Sequence, residues 1–367
     1  MSREKIRESL RRALLEFVES LERGEEPTFR IPKRTLSSVY WDSKSGFLKL
    51  KKEYFERRLF SLKEARKFMQ TVLVLSTIVK AIEEGDYPTI RDIYYTVKHT
   101  ITYRDHLGRT QREETVEEQR ESDTIIEDVE VMTGFLREQM GIMFDAKGRA
   151  VGDMRIRSKG NIIDLSKMGV GAFAIPPNVD DIEFLDVNAN YILIVEKGAV
   201  FERLNNEEFW KKHKCILITG KGQPDRGTRR FVRRLVDEFG LPAYILTDAD
   251  PYGFYIYSVY KYGSISLAYE SERLAVPSMK FLGVTISDIY AYKIPKRYII
   301  KATEADLKRA EDLLEYDWFK KPHWKKELEL FLKNKEKIEI EAFSGFGFKF
   351  LSEKYIPEKM KKGKLLD

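Results

Sequence analysis

The sequence predicts a multidomain α/β protein: a helical unit closed by a hairpin, followed by a larger unit built on a mostly parallel sheet. Two observations carry this. Between residues 61 and 140 three helical segments follow one another before a hairpin-like stretch. Beyond residue 190 the short apolar runs Tyr191–Val195, Cys215–Thr219 and 243–247 recur with helical segments between them. Short, almost wholly apolar runs are the signature of parallel strands buried on both faces.

Residues 1–23 predict an amphipathic helix with Ile6, Leu10, Leu14, Phe17, Val18 and Leu21 on one face, stopped by Gly24 and Pro27. Residues 28–60 read as short strands with a turn at 42–46. Together, residues 1–60 are expected to form an N-terminal arm. Ser61 and Glu64 make a capping-box pattern that opens a helix running to Glu84. Thr89 caps a second helix with Asp92 three residues on, and Thr124 to Glu127 is expected to open a third. Residues 142–145 and 151–157 then read as a hairpin turning through Lys147-Gly148, and 103–121 as a polar inserted loop. Three helices followed by a hairpin is the order of a winged-helix DNA-binding domain, here 61–158. Residues 159–190 are expected to be a connection, and 191–367 the α/β domain with a C-terminal helical extension and a strand at 338–342.

Composition narrows the function. With 43% hydrophobic and 34% charged residues the chain is a globular protein, no apolar run approaches a membrane span, and a cytoplasmic location is expected. One cysteine and four histidines exclude a disulfide framework and a thiolate or histidine metal cage. The net charge of +6 says little by itself. Its distribution says more: Arg226, Arg229, Arg230, Arg233 and Arg234 crowd one helix, and Lys359, Lys361, Lys362 and Lys364 the tail. Each cluster suits phosphate contacts, and equally a solvated helix face or a frayed tail.

Glu196, Asp248 and Asp250 follow the first and third apolar runs, at the strand ends where open parallel sheets gather ligands. Residues i and i+2 of an extended chain face one way, so Asp248 and Asp250 can meet one cation. An oxygen-only ligand set favours Mg²⁺. Asp250 before Pro251 is also a natural helix cap. In the run Thr89 to His99, helical spacing turns Tyr94 to the apolar face with Ile90, Ile93 and Val97. Tyr95 lies off that face, with Arg91, Lys98 and His99 expected as its helical neighbours. Tyr103 is a weaker second candidate.

These motifs in this order resemble the topoisomerase VI A-subunit family: Arg91-Asp-Ile-Tyr-Tyr95, Lys147-Gly148, Val195-Glu-Lys-Gly198, Gly220 to Asp225 and Thr247 to Gly253. The likeness runs from about residue 61 to the end. It implies a winged-helix domain of the CAP-like kind and a Toprim domain holding Mg²⁺ through Glu196, Asp248 and Asp250. It implies Tyr95 as the nucleophile, with Arg91 and Lys147 near the scissile phosphate. It implies a type IIB enzyme that breaks and rejoins duplex DNA through a 5′-phosphotyrosyl link. It further implies a homodimer of A subunits, and a GHKL ATPase B subunit docked on the N-terminal arm to complete an A2B2 assembly. No ATP-binding signature stands in this chain. Two other readings stay open: a Toprim nuclease in which water attacks, and a non-catalytic winged-helix protein whose carboxylates are caps.

Overall fold

A computed structural model describes residues 3–363 and 365–367. Helix α1 (Arg3–Glu22) is followed by strands β1 (Thr28–Pro32), β2 (Val39–Asp42), β3 (Phe47–Leu50) and β4 (Tyr54–Arg58). Then come α2 (Ala65–Glu84), α3 (Ile90–Val97), a hairpin of β5 (Thr100–Arg104) and β6 (Thr110–Glu114), and α4 (Gln119–Thr133). The chain divides into two compact units. The first holds the described residues up to Ser38 together with Leu50–Asp145, and the second holds Val39–Lys49 and the described residues from Ala146 on.

The first unit has one core. Helix α2 buries Phe68, Val74, Leu75, Ile78 and Ile82 at helical spacing, α3 adds Ile93 and Val97, and α4 adds Ile125, Ile126 and Val129. Ile6 and Leu10 of α1 are buried in the same cluster, whereas Val18 and Leu21 at the far end of the expected stripe are exposed. Residues 3–60 therefore form no separate arm. Arg57 of β4 reaches into the helices, donating to Thr71 Oγ1 at 2.9 Å and pairing with the buried Asp128 of α4. Arg34 pairs with the same carboxylate and with Glu127 at 2.7 Å. A buried carboxylate needs such partners, so the strands are held to the helices.

Other expectations shift too. The capping box at Ser61 is absent: α2 starts at Ala65 and Glu64 makes no side-chain cap. Helix α4 starts at Gln119, five residues before Thr124, and ends at Gly134 in the left-handed conformation. The 103–121 loop contains a regular antiparallel hairpin with Tyr103 opposite Gln111. The hairpin expected to turn at Lys147-Gly148 does not form, because β7 (Arg149–Val151) pairs with strands of the second unit. The three helices stand in winged-helix order, but the hairpin follows the second helix, not the third.

In the second unit, β8 (Met154–Ser158) falls in the stretch expected to be the second strand of the hairpin, and β9 (Asn161–Asp164), β10 (Phe173–Ala174) and β11 (Ile182–Val187) fill the stretch expected to be a connection. β8 and β9 form a local hairpin, while β11 returns to pair with β8 and β10 with β7. The main sheet adds β12 (Tyr191–Val195), β13 (Cys215–Thr219), β14 (Ala243–Leu246) and β15 (Lys280–Gly283). Its order is β10-β7-β13-β12-β14-β15, with the last four parallel. Helices α5 (Gly198–Asn206), α6 (Phe209–Lys212), α7 (Arg226–Phe239) and α8 (Pro251–Tyr262) connect these strands. Every residue of β12 and β13 is buried. Helices Glu304–Glu315 and Pro322–Asn334 follow, and the strand expected at 338–342 is instead a short pair at Glu336–Lys337 leading into a 3-10 turn.

The basic clusters are mostly internal. On α7, Arg226 pairs with Glu270 at 2.7 Å and Arg229 is buried. Arg230, Arg233 and Arg234 pair with Asp180, Asp237 and Glu238 and donate to backbone carbonyls. This helix is knitted into its own unit and does not present five cations to solvent. In the tail, Lys359 pairs with Asp288 at 2.7 Å, while the Lys362 side chain and Lys364 lie outside the described residues.

Candidate active site

Glu196 directly follows β12, and Asp248 and Asp250 follow β14, the strand beside it. The Asp248 amide donates to Glu196 Oε2 at 3.0 Å, which joins the two strand ends directly. Asp250 caps α8, its Oδ1 accepting from the Gly253 amide at 2.7 Å, with Pro251 in the first turn. The cap expectation holds for Asp250, and the cap uses only one of its carboxylate oxygens. Gly253 is required there: a Cβ would stand 2.5 Å from the Asp248 carbonyl oxygen.

Burial pushes Glu196 up to about 7, and the charge of Asp248 adds to the effect. Burial likewise lifts Asp248 to about 6, against the opposing Ile340 amide and Lys197, and it raises Asp250. Two lysines, unforeseen from sequence, offset this negative charge. Lys197 Nζ lies 3.0 Å from Asp248 Oδ2, 3.1 Å from Glu339 and 2.9 Å from Glu341. Lys337 lies 2.8 Å from Asp306 and 4.0 Å from Asp250. The segment carrying Glu339 and Glu341 is fastened over the site, since the Ile340 amide donates to Asp248 Oδ1 at 2.8 Å and Ala249 to the Ile338 carbonyl at 3.0 Å. The only sequence signal was the alternation Glu339-Ile-Glu341 and the lysine directly after Glu196.

Among the described residues, no three His, Cys, Asp or Glu side chains form a closed metal cage. The donor set nevertheless fits a hard divalent cation. All three groups are oxygens, each raised by burial or by its neighbours, and such a cation keeps several waters and needs only one or two carboxylates.

On α3, a complete capping box of Thr89 and Asp92 starts the helix. Tyr94 packs against the core, donates its hydroxyl to the Glu117 carbonyl at 3.1 Å and accepts from Lys98 Nζ at 3.0 Å. Tyr95 is 61% exposed, and among the described residues its hydroxyl has no partner. The Arg91 guanidinium stands 5.9 Å from the Tyr95 ring centre. The other expected neighbours differ: the helix ends at Val97, so Lys98 turns to Tyr94 and His99 leaves the helical register. Tyr103 is in β5 with its hydroxyl bound to Glu113 at 2.6 Å, which raises its pKa. Lys147 is exposed in the second unit, its amide held by Asp225 Oδ2 at 2.8 Å. Tyr95 and Arg91 thus come together in one unit, and the three carboxylates in the other.

Comparisons with known proteins follow the same division. Residues 66–142 match the family described as "Type IIB DNA topoisomerase". Residues 147–188 match "All-beta domain in DNA topoisomerase VI alpha subunit", the stretch where β7 to β11 lie. Residues 191–360 match the Toprim domain of the topoisomerase 6 A-subunit and Spo11 family, a metal-binding fold, which accounts for the mostly parallel sheet. Among curated relatives, the A subunit of type 2 DNA topoisomerase 6 from Hyperthermus butylicus is 55% identical, over 99% of this chain and 96% of its own. Its counterpart from Pyrococcus abyssi is 38% identical over 99% and 96%, and the DNA topoisomerase 6 A subunit of Arabidopsis thaliana 35% over 97% and 80%. With relatives of this identity matched over nearly the whole chain, the chain belongs to the family of type 2 DNA topoisomerase 6 A subunits.

Proposed function

We propose that this chain is the DNA-cleaving and rejoining subunit of a type IIB topoisomerase, with Tyr95 as nucleophile. The observation that carries the reading is the contrast within α3. The Tyr94 hydroxyl is occupied by Lys98 and Glu117, whereas that of Tyr95 is free, exposed and beside Arg91. The Tyr95 oxygen attacks the phosphorus of a DNA phosphodiester, loses its proton and forms a 5′-phosphotyrosyl bond as the bond to the 3′ oxygen breaks. The 3′ oxygen takes up a proton and leaves as a hydroxyl. Arg91 and Lys147 orient the phosphate and offset its charge. Resealing is the reverse transfer and uses no ATP.

Glu196, Asp248 and Asp250 are the residues that would hold Mg²⁺. When bound, it supplies Lewis-acid stabilisation of the transferring phosphate and the leaving oxygen. The partners that fit are duplex DNA, a second copy of the chain placing Tyr95 of one protomer against the carboxylates of the other, and a GHKL ATPase B subunit in an A2B2 assembly in the cytoplasm. No described helix is long and apolar enough to cross a membrane.

The test is protein-linked DNA after denaturation, using end-labelled duplex, Mg²⁺ and the ATPase partner. Tyr95→Phe is expected to lose the link entirely, and Tyr94→Phe to keep it while losing about 1 kcal/mol of stability from its hydrogen bonds. A link retained in Tyr95→Phe overturns the assignment.

A further inference from the structure

The β5–β6 hairpin starts three residues after α3 and has no use in the reading above. Both strands stand out from the unit, and all five residues of β5 are exposed. A lone two-stranded ribbon is marginal in water, so its order has to be secured locally. At the base, Thr115 donates to the His99 and Val97 carbonyls at 2.8 and 2.5 Å and accepts from the His99 amide. At the tip, Asp105 accepts from the Leu107 and Arg109 amides at 2.9 Å and from Gln111 at 3.0 Å, and Gly108 takes a φ of 72°.

The register divides the side chains between two faces. Ile101 and Tyr103 border a concavity shared with Ala65, Arg66 and Met69 at the start of α2, so that face is turned toward the body. The opposite face carries Arg104 paired with Thr110, and Arg112 paired with Thr102. The acids of the ribbon are engaged inside it: Asp105 in the turn, Glu113 on Tyr103, Glu114 on Thr100 at 2.7 Å. Among the described residues Arg104 and Arg112, and Arg109 at the tip, pair with no acid, and all three are exposed. The outward face thus carries cations and hydroxyls, with one acid, Glu114, at its base bonded to Thr100, on a ribbon of the width a DNA major groove admits.

We propose that the β5–β6 hairpin is a duplex-DNA clamp that holds the sugar-phosphate backbone beside the cleavage point through Arg104, Arg109 and Arg112. This rests on the DNA-cleaving reading. Five residues of strand span about 16 Å, so the contacts fall about five base pairs from the phosphate that meets Tyr95.

The test is fluorescence anisotropy of a labelled duplex of about 40 base pairs with the full chain, as a function of salt. For wild type, log K falls linearly with log salt. In Arg104→Ala/Arg109→Ala/Arg112→Ala the slope is expected to shrink by about 2 to 3, near 0.9 per lost phosphate contact. Affinity at low salt should fall at least tenfold, and the triple lysine variant should restore most of both. The ribbon is exposed, so the melting temperature should not move, which separates lost contacts from lost folding. Unchanged slope and affinity in the alanine variant would overturn the clamp alone. A variant that binds DNA normally but no longer associates with a second copy or with the ATPase partner in sedimentation would also overturn it, giving the ribbon to a protein partner. If wild type binds no duplex at all, the functional reading fails with it.

Discussion

Lys197 and Asp248 are joined across the carboxylate site, Nζ to Oδ2 at 3.0 Å, and the same ammonium also holds Glu339 and Glu341. The lysine therefore acts as a resident cation beside the carboxylate of Asp248. In Lys197→Met, Asp248 stays buried without its counter-charge. Breaking a fully buried pair costs about 3–5 kcal/mol, and with Lys197 partly exposed we expect on the order of 2 kcal/mol in urea unfolding. Added Mg²⁺ should recover more stability in the variant than in wild type, because an ion then replaces the missing charge. An equal Mg²⁺ response in both would show that Lys197 has no part in balancing the site.

A second prediction concerns Glu270, which is buried and holds Arg226 at 2.7 Å, while Arg229 lies fully buried nearby. Burial pulls Arg229 down to about 10, and the field of Glu270 limits the fall. Glu270→Gln should cost about 3 kcal/mol or more, since it strands buried guanidinium charge. At temperatures where the variant is folded, the salt slope of DNA binding should be unchanged, as Arg230, Arg233 and Arg234 are held by acids and carbonyls of their own unit. A reduced slope would return α7 to the DNA surface.

A third prediction is a pH dependence. Burial alone would raise Asp180, but hydrogen bonds from Arg273 and Arg230, each at 2.8 Å, bring it below its ordinary value. A carboxylate depressed in the folded state stabilises above its unfolded pKa, and the contribution disappears as pH falls through the folded value. Asp180→Asn should therefore be less stable than wild type at pH 7, and the difference should close below about pH 4. Denaturation curves at several pH values check this, and a gap that persists into strong acid would show that the ion pairs are not its source.

The apolar runs at 191–195, 215–219 and 243–247 were legible because a strand buried on both faces needs apolar residues at every position. Thr89 with Asp92, and Asp250 before Pro251, were legible because a helix cap is a bond between neighbours in sequence. The division of Tyr94 from Tyr95 followed from helical spacing alone. What the sequence by itself determined is thus local: period, caps and the order of motifs that marks the family. The tertiary structure decided where non-local pairing competes. It placed Arg149–Val151 in the main sheet instead of a wing, drew the described residues up to Ser38 into the helical core through Asp128, and turned the arginines of α7 inward. It also brought Lys197 to Glu341, 144 residues apart in sequence, so the charge balance of the site became visible only once the chain had closed on itself.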